Sequence, residues 1–173
     1  MRYPLPGRIS AGFGDSSDFR KSKGLQPHSG TDWPAPRGTK FRAIGNGTIK
    51  LIQESKILGW VTVQSVWDGK RTWYVGYCHQ DSRPALAIGD KVTEGQVIGS
   101  VGNRGLSSGP HLHLTVSRKL KGVFGVWTDK VDPVKFIQGN KSPSGSTGST
   151  GSETQGKTSI TCAKCGTEYH AKL

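Results

Sequence analysis

The stretch Pro110-His111-Leu112-His113-Leu114-Thr115-Val116 alternates, with Leu112, Leu114 and Val116 on one parity and His111, His113 and Thr115 on the other. Residues two apart on a strand point to the same side of a sheet. The pattern therefore predicts a strand whose leucines face a core and whose two imidazoles share the opposite face. Similar alternating or β-branched runs occur at 47–53, 60–67, 72–78 and 96–101, separated by turns containing Gly, Asp or Ser. Asp68-Gly69 between two of them is a hairpin signal. Only 32% of the residues are hydrophobic, against 25 glycines and 9 prolines, a balance that suits turn-rich β structure better than helices. The expectation is an all-β, compact antiparallel domain over residues 1–139.

Residues 140–157, rich in Gly, Ser and Thr, have no apolar side chain and read as a flexible linker, reaching roughly 20–25 Å by random-coil scaling. Residues 158–173 form a short tail with Cys162-x-x-Cys165 and His170, too short for a core of its own. Three cysteines do not make a disulfide framework. The N-terminus lacks the apolar region of a secretory signal, and no run of about 18 apolar residues offers a membrane span. A net charge of +12 favours polyanionic partners. Its basic residues are scattered, which does not indicate a nucleic-acid-binding arm.

Of the five histidines, the pair His111/His113 shares a strand face, and His28 lies four residues before Asp32 with Gly30 between them. Gly30 permits a tight backbone path that aims His28 and Asp32 at one point. Imidazoles and a carboxylate are the kinds of ligand a catalytic zinc takes, with one position left for water. The residues thus read as a zinc hydrolase.

An ordered set of motifs resembles the lysostaphin-type (LytM-like) zinc metallopeptidases, which cut peptide bonds of bacterial peptidoglycan. The matching segments are His28-x-x-x-Asp32 followed by Ala35-Pro36-x-Gly38-Thr39, then Tyr77-x-His79, then Gly89-Asp90-x-Val92-x-x-Gly95-Gln96-x-Ile98-Gly99. Gly102-Asn103-x-Gly105-x-Ser107-Ser108-Gly109-Pro110-His111-Leu112-His113 completes the set. The resemblance implies a duplicated-hybrid-motif-like sheet, with His28, Asp32 and His113 as zinc ligands and His79 and His111 as the unliganded catalytic pair. It leaves open which of that pair is the base. Thr115 and Cys78 stand where relatives frequently have an acidic and a small residue. Alternation turns Cys78 away from His79, and a buried structural cysteine is the expected role.

The implied function is a peptidoglycan endopeptidase; the alternative is a non-catalytic relative that binds wall or activates another hydrolase. The modular plan and the missing signal resemble a bacteriophage endolysin, made in the host cytoplasm and acting on the wall after release. Peptidoglycan is the expected partner, with anionic wall polymers as a second. The bond cut stays open among a direct D-Ala cross-link, a glycine-containing bridge and a stem-peptide bond. For the tail two readings stand: free thiols on a disordered segment, or Cys162, Cys165 and His170 as part of a second, structural zinc site.

Overall fold

Each run read as a strand forms one, with bounds moved by at most two residues. The computed structural model describes residues 1–141 except Lys23, Leu25 and Val126, and the backbone of 159–161 and 168–170. In chain order the elements are α1 (Asp18–Ser22), β1 (Thr31–Pro34), β2 (Lys40–Arg42), β3 (Gly47–Ser55), β4 (Gly59–Trp67) and β5 (Thr72–Gln80). Then come β6 (Lys91–Val92), β7 (Val97–Ser100), β8 (His111–Ser117), β9 (Lys130–Val131) and α2 (Pro133–Gly139).

Seven strands form one antiparallel sheet in the order β1-β8-β5-β4-β3-β6, with β9 continuing the β1 edge farther along β8. A separate pair, β2 with β7, sets Phe41 opposite Gly99. Short turns permit this meander. The β4–β5 turn is closed by Asp68, whose Oδ1 accepts from Lys70 N and Arg71 N at 2.7 Å each, while Gly69 takes φ +95°.

The alternation of β8 sorts the molecule into two packed sides. Leu112, Leu114 and Val116 are fully buried in one cluster with Trp33, Val75, Tyr77, Phe41 and the α2 residues Phe136 and Ile137. Asp132 caps α2 by accepting from Val134 N at 2.8 Å, with Pro133 in the first turn. The other side carries Val61, Val63, Cys78 and Val123, and directly opposed residues in the register share a face. Asp32 and Cys78 both lie opposite His113, one on each neighbouring strand.

Deep in the larger cluster, Tyr77 stacks on Phe41 with ring centroids 5.5 Å apart. Its hydroxyl accepts from Ile44 N at 3.0 Å and donates to Gln64 Oε1 at 2.8 Å. These bonds tie β5 to the segment before β3, and so fix the strand that ends in His79.

Asn140 belongs structurally to this unit, because its side chain donates to Phe136 O at 2.8 Å. Unit boundaries fall at Pro143 and Ser144. Within the second unit, β10 (Ser159–Thr161) pairs antiparallel with β11 (Glu168–His170), setting Ser159 opposite His170. The linker residues beyond Lys141, together with Cys162 and Cys165, lie outside the described residues.

Tyr77→Phe would leave a buried amide N–H and a buried amide oxygen short of a partner, a loss worth about 1–3 kcal/mol. Urea unfolding is expected to show a lower midpoint by that amount with an unchanged slope.

Candidate metal centre and groove

Three donor atoms converge where β1, β8 and the loop before β1 meet. His113 Nδ1 lies 2.9 Å from Asp32 Oδ1, and His28 Nε2 lies 3.0 Å from His113 Nδ1 and 3.2 Å from Asp32 Oδ1. Tetrahedral bonds of 2.0–2.1 Å imply donor-to-donor separations of about 3.3 Å. The separations and the two-nitrogen, one-oxygen donor set therefore fit a zinc ion with a fourth position open. His111 Nε2 stands farther off, 3.7 Å from Asp32 Oδ1.

Each part of this cluster has a local cause. Asp32 and His113 face each other because the β1–β8 register pairs them. His28 is gripped by the loop before it: its backbone N donates to Asp15 O at 2.8 Å, and its carbonyl accepts from Gly14 N at 2.7 Å. Its Nδ1 faces Gly12 O at 2.9 Å. A carbonyl only accepts, so Nδ1 carries the proton and Nε2 keeps its lone pair for the cluster. Gly30 makes room for the second ring, since a Cβ there would run into the Leu114 carbonyl and lie 2.7 Å from His113 Nε2.

Two more imidazoles border the same groove, with His79 and His111 ring centroids 4.6 Å apart. His111 Nδ1 faces Gly109 O at 2.8 Å and His79 Nδ1 faces Arg104 O at 2.8 Å. By the same argument each neutral ring keeps a lone pair on Nε2. Ser107 braces this loop, donating within reach of Asn103 Oδ1 at 2.7 Å and Gly109 O at 2.8 Å.

His79 reaches the groove by breaking the alternation of β5. Strict alternation puts it on the Tyr77 side; instead it adopts φ +61°, the sole positive φ among the described non-glycine residues. The β4–β5 register shifts beside it, between Trp60 and Thr62. This is the way a bulge re-aims a side chain. Its ring then sits 5.9 Å from that of His113. Cys78 is buried as expected, but for a different reason: it lies on the His113 side, behind the cluster, while His79 departs from its parity. Burial pushes the Cys78 thiol up to about 12.

Burial also shapes the charges. It would raise Asp32, but the His113 and His28 rings beside the carboxyl outweigh it and hold the carboxyl well below the usual range. Burial pushes His79 down to about 4, against the opposing bond to Arg104 O. His113 is lowered by burial despite the bond to Asp32. The site thus holds a carboxylate beside His79 and His113, two imidazoles that burial disfavours charging.

The groove encloses about 570 Å³. Its lining joins the five residues expected at the catalytic zinc: His28, Asp32, His79, His111 and His113. Sequence reading did not find Gly12, Arg104 or Gly109, which act through backbone carbonyls that any residue type possesses. Nor did it single out Ile57 and Leu106, which form a wall.

Residues 26–125 match the family model described as Peptidase family M23. The peptidoglycan DD-endopeptidase ShyA of Vibrio cholerae serotype O1 is 35% identical over 116 residues, covering 65% of this chain and 26% of the relative. The chain thus spans about a quarter of the length of the curated relatives it first matches. Among solved structures, the catalytic domain of the antimicrobial peptidase lysostaphin from Staphylococcus simulans superposes with a TM-score of 0.63 at 26% identity, covering 76% of this chain and 92% of that one. A zinc-containing peptidase from Vibrio cholerae gives 0.59 at 26% identity, covering 75% of this chain and 37% of that one.

The depressed His79 makes stability depend on pH. The unfolded imidazole binds its proton near 6.5 and the folded one near 4. Between those values the unfolded chain holds more protons, so stability is full above pH 6.5 and falls as pH drops through 4. The shift corresponds to about 3 kcal/mol. Asn tolerates the left-handed backbone and does not titrate, so His79→Asn is the control. Urea unfolding of the metal-free chain at pH 7 and pH 4 is expected to show that extra loss in wild type only; parallel losses would contradict it.

Proposed function

Given that the chain belongs to peptidase family M23, we propose that it hydrolyses peptide bonds of bacterial peptidoglycan, holding zinc on His28 Nε2, Asp32 Oδ1 and His113 Nδ1. The observation that carries this reading is the convergence of those three donor atoms within 3.2 Å of one another, beside two imidazoles held by backbone carbonyls. Zinc bound there supplies a Lewis acid for the scissile carbonyl and can lower the pKa of water to about 7.

The residues supply the proton handling. His79 and His111 each present Nε2 to the groove, with Nδ1–H anchored. One accepts the proton of the attacking water as its oxygen bonds to the carbonyl carbon. The other steadies the oxyanion when a solvent-derived proton on Nε2 makes it a donor at both ring nitrogens, a proton it keeps through the reaction. The accepted proton passes to the amide nitrogen as the C–N bond breaks, leaving a carboxylate and an amine. A wall-binding relative without catalysis has no need of all five side chains at these distances.

Three finer readings belong to the same proposal. A role in phage-induced lysis, with synthesis in a host cytoplasm and action on the wall after release, is supported by the Gly/Ser/Thr-rich segment joining the catalytic unit to a small tail. Attraction to anionic wall polymers is supported by the net charge of +12. A second zinc on Cys162, Cys165 and His170 is supported by the Cys-x-x-Cys spacing alone. No helix among the described residues is long and apolar enough to cross a membrane.

His28→Ala, Asp32→Ala and His113→Ala are each expected to lose zinc and activity together. His79→Ala and His111→Ala should keep zinc and lose turnover by ~10²–10⁴-fold. Atomic absorption beside release of soluble peptide from purified walls checks both. Zinc lost in the His111 variant but kept in the His113 variant would reverse the assignment on β8.

A further inference from the structure

His28 differs from the other two donors in how it is placed. Asp32 and His113 sit on paired strands, whereas the Nδ1, amide and carbonyl of His28 are all bonded by the loop 12–15. That loop reads Gly12-Phe13-Gly14-Asp15, with Gly14 at φ +83°. Among the described residues, no heavy atom beyond the chain neighbours lies within 4 Å of a Cβ built at Gly12 or Gly14, so neither position is packed in place. Two such glycines give the loop freedom that folding must remove. Phe13, between them, carries the side chain that can anchor it.

The partner of that anchor comes from the other end of the domain. Phe13 stacks on Trp127, with ring centroids 4.8 Å apart and planes 22° from parallel. Trp127 Nε1 donates to His28 O at 3.4 Å, the same carbonyl that accepts from Gly14 N at 2.7 Å. Trp127 stands just before β9, whose Lys130 and Val131 pair with Ser117 and Val116 of β8. The turn between is closed by Arg118 N, which donates to Asp129 O at 2.9 Å, and by Lys119 Nζ, 3.2 Å from Asp129 Oδ1. The residue after His28 is held from the same side: Lys130 Nζ donates to Ser29 Oγ at 3.1 Å, and Thr115 Oγ1 donates to Ser29 O at 3.0 Å. Residues 28–29 are thus tied to β8 and β9 through side chains, and Trp127 extends the hold to the loop in front of them. Neither Trp127 nor Phe13 lines the groove.

We propose that Trp127 and Phe13 are positioning residues for the metal centre: their stack clamps the 12–15 loop and holds His28 at its place beside Asp32 and His113. The inference rests on the reading of His28 as a zinc ligand. Stacked aromatic pairs contribute beyond the area they bury, and here that contribution falls on a loop with two unpacked glycines. Removing a partner behind a ligand typically costs about 10–100-fold in metal affinity. A contact that acts through the ligand's own backbone falls at the lower end of that range. The indole N–H is the lesser part of the clamp, because His28 O keeps Gly14 N without it. Phenylalanine at position 127 therefore preserves the hold, and alanine releases it.

The test uses the full chain. Competition against a colorimetric zinc chelator gives the zinc dissociation constant, and hydrogen exchange of the metal-free protein reads the opening of the loop. Trp127→Ala is expected to weaken zinc binding about 10-fold. It should also speed exchange at the Gly14 and His28 amides by roughly 2–10-fold. The Ile49 and Gly89 amides, bonded on and beside β3, three strands from β8, should keep their rates. Trp127→Phe should restore both measurements. Phe13→Ala removes the same contact from the other side and takes the place of Trp127→Ala if that variant does not fold. Unchanged zinc affinity overturns the clamp. So does equal acceleration at all four amides, the pattern of a merely structural role, and so does a phenylalanine variant as impaired as alanine. Wild type that binds no zinc means that the ligand assignment has failed separately, and the exchange contrast then decides the clamp alone.

Discussion

Pairing along β8 governs everything else in this molecule. One strand, flanked by β1 and β5, fixes which residues look into the core and which look into the groove. Asp32 and His113 meet because they are opposed in the ladder, and a slip of one residue would turn Asp32 toward the apolar side. The buried leucines resist such a slip, since it would carry Leu112 and Leu114 into the groove and His113 into the core. The same apolar burial that stabilises the sheet thus sets the spacing of the donor atoms. Precise positioning of the cluster needs no contribution beyond it except for His28, which is held by loop backbone.

That division explains what could be read in the chain beforehand. The parity of His111 and His113, the long central strands and the turn at Asp68-Gly69 are properties of neighbouring residues, and alternation makes them visible. His28 and Asp32 could be grouped by their spacing and by the tight backbone path that Gly30 permits, and the ordered motifs of the resemblance linked them to the strand. The conformation of His79 was not legible: nothing in Tyr77-Cys78-His79 announces a left-handed residue, and the bulge arises from how β4 and β5 pair around it. For the same reason alternation misjudged the relation of Cys78 to His79, although the expected burial of Cys78 is observed. The short strands β1 and β2 show too few alternating residues to be recognised, and both exist through their partners. The anchoring carbonyls of Gly12, Arg104 and Gly109 have no sequence signature at all.

The electrostatics follow from the same enclosure. A buried carboxylate is costly unless it is paired, and Asp32 is held ionised by the two rings beside it. His113 is in turn kept from charging by burial. The cluster therefore joins a carboxylate oxygen to two ring nitrogens, a combination suited to a divalent cation. His79, neutral for the same reason of burial, can accept a proton without first having to lose one. Side chains alone would not hold this arrangement, because a free imidazole has two tautomers. The carbonyls facing Nδ1 of His28, His79 and His111 each select one of them.

The β7–β8 loop is pleiotropic. Within 103–110 it contributes the carbonyls that orient His79 and His111, the serine that braces them, and Leu106 of the groove wall. Lengthening or exchanging it to admit a different substrate would also loosen both imidazoles. The segment before β1 is less entangled: apart from His28 and the residues 12–15 that grip it, side chains such as Ser17 and Arg20 border the groove outside the donor cluster. Evolutionary drift in substrate choice should therefore accumulate on that wall first, and changes across the groove should come as coordinated sets of substitutions rather than one at a time.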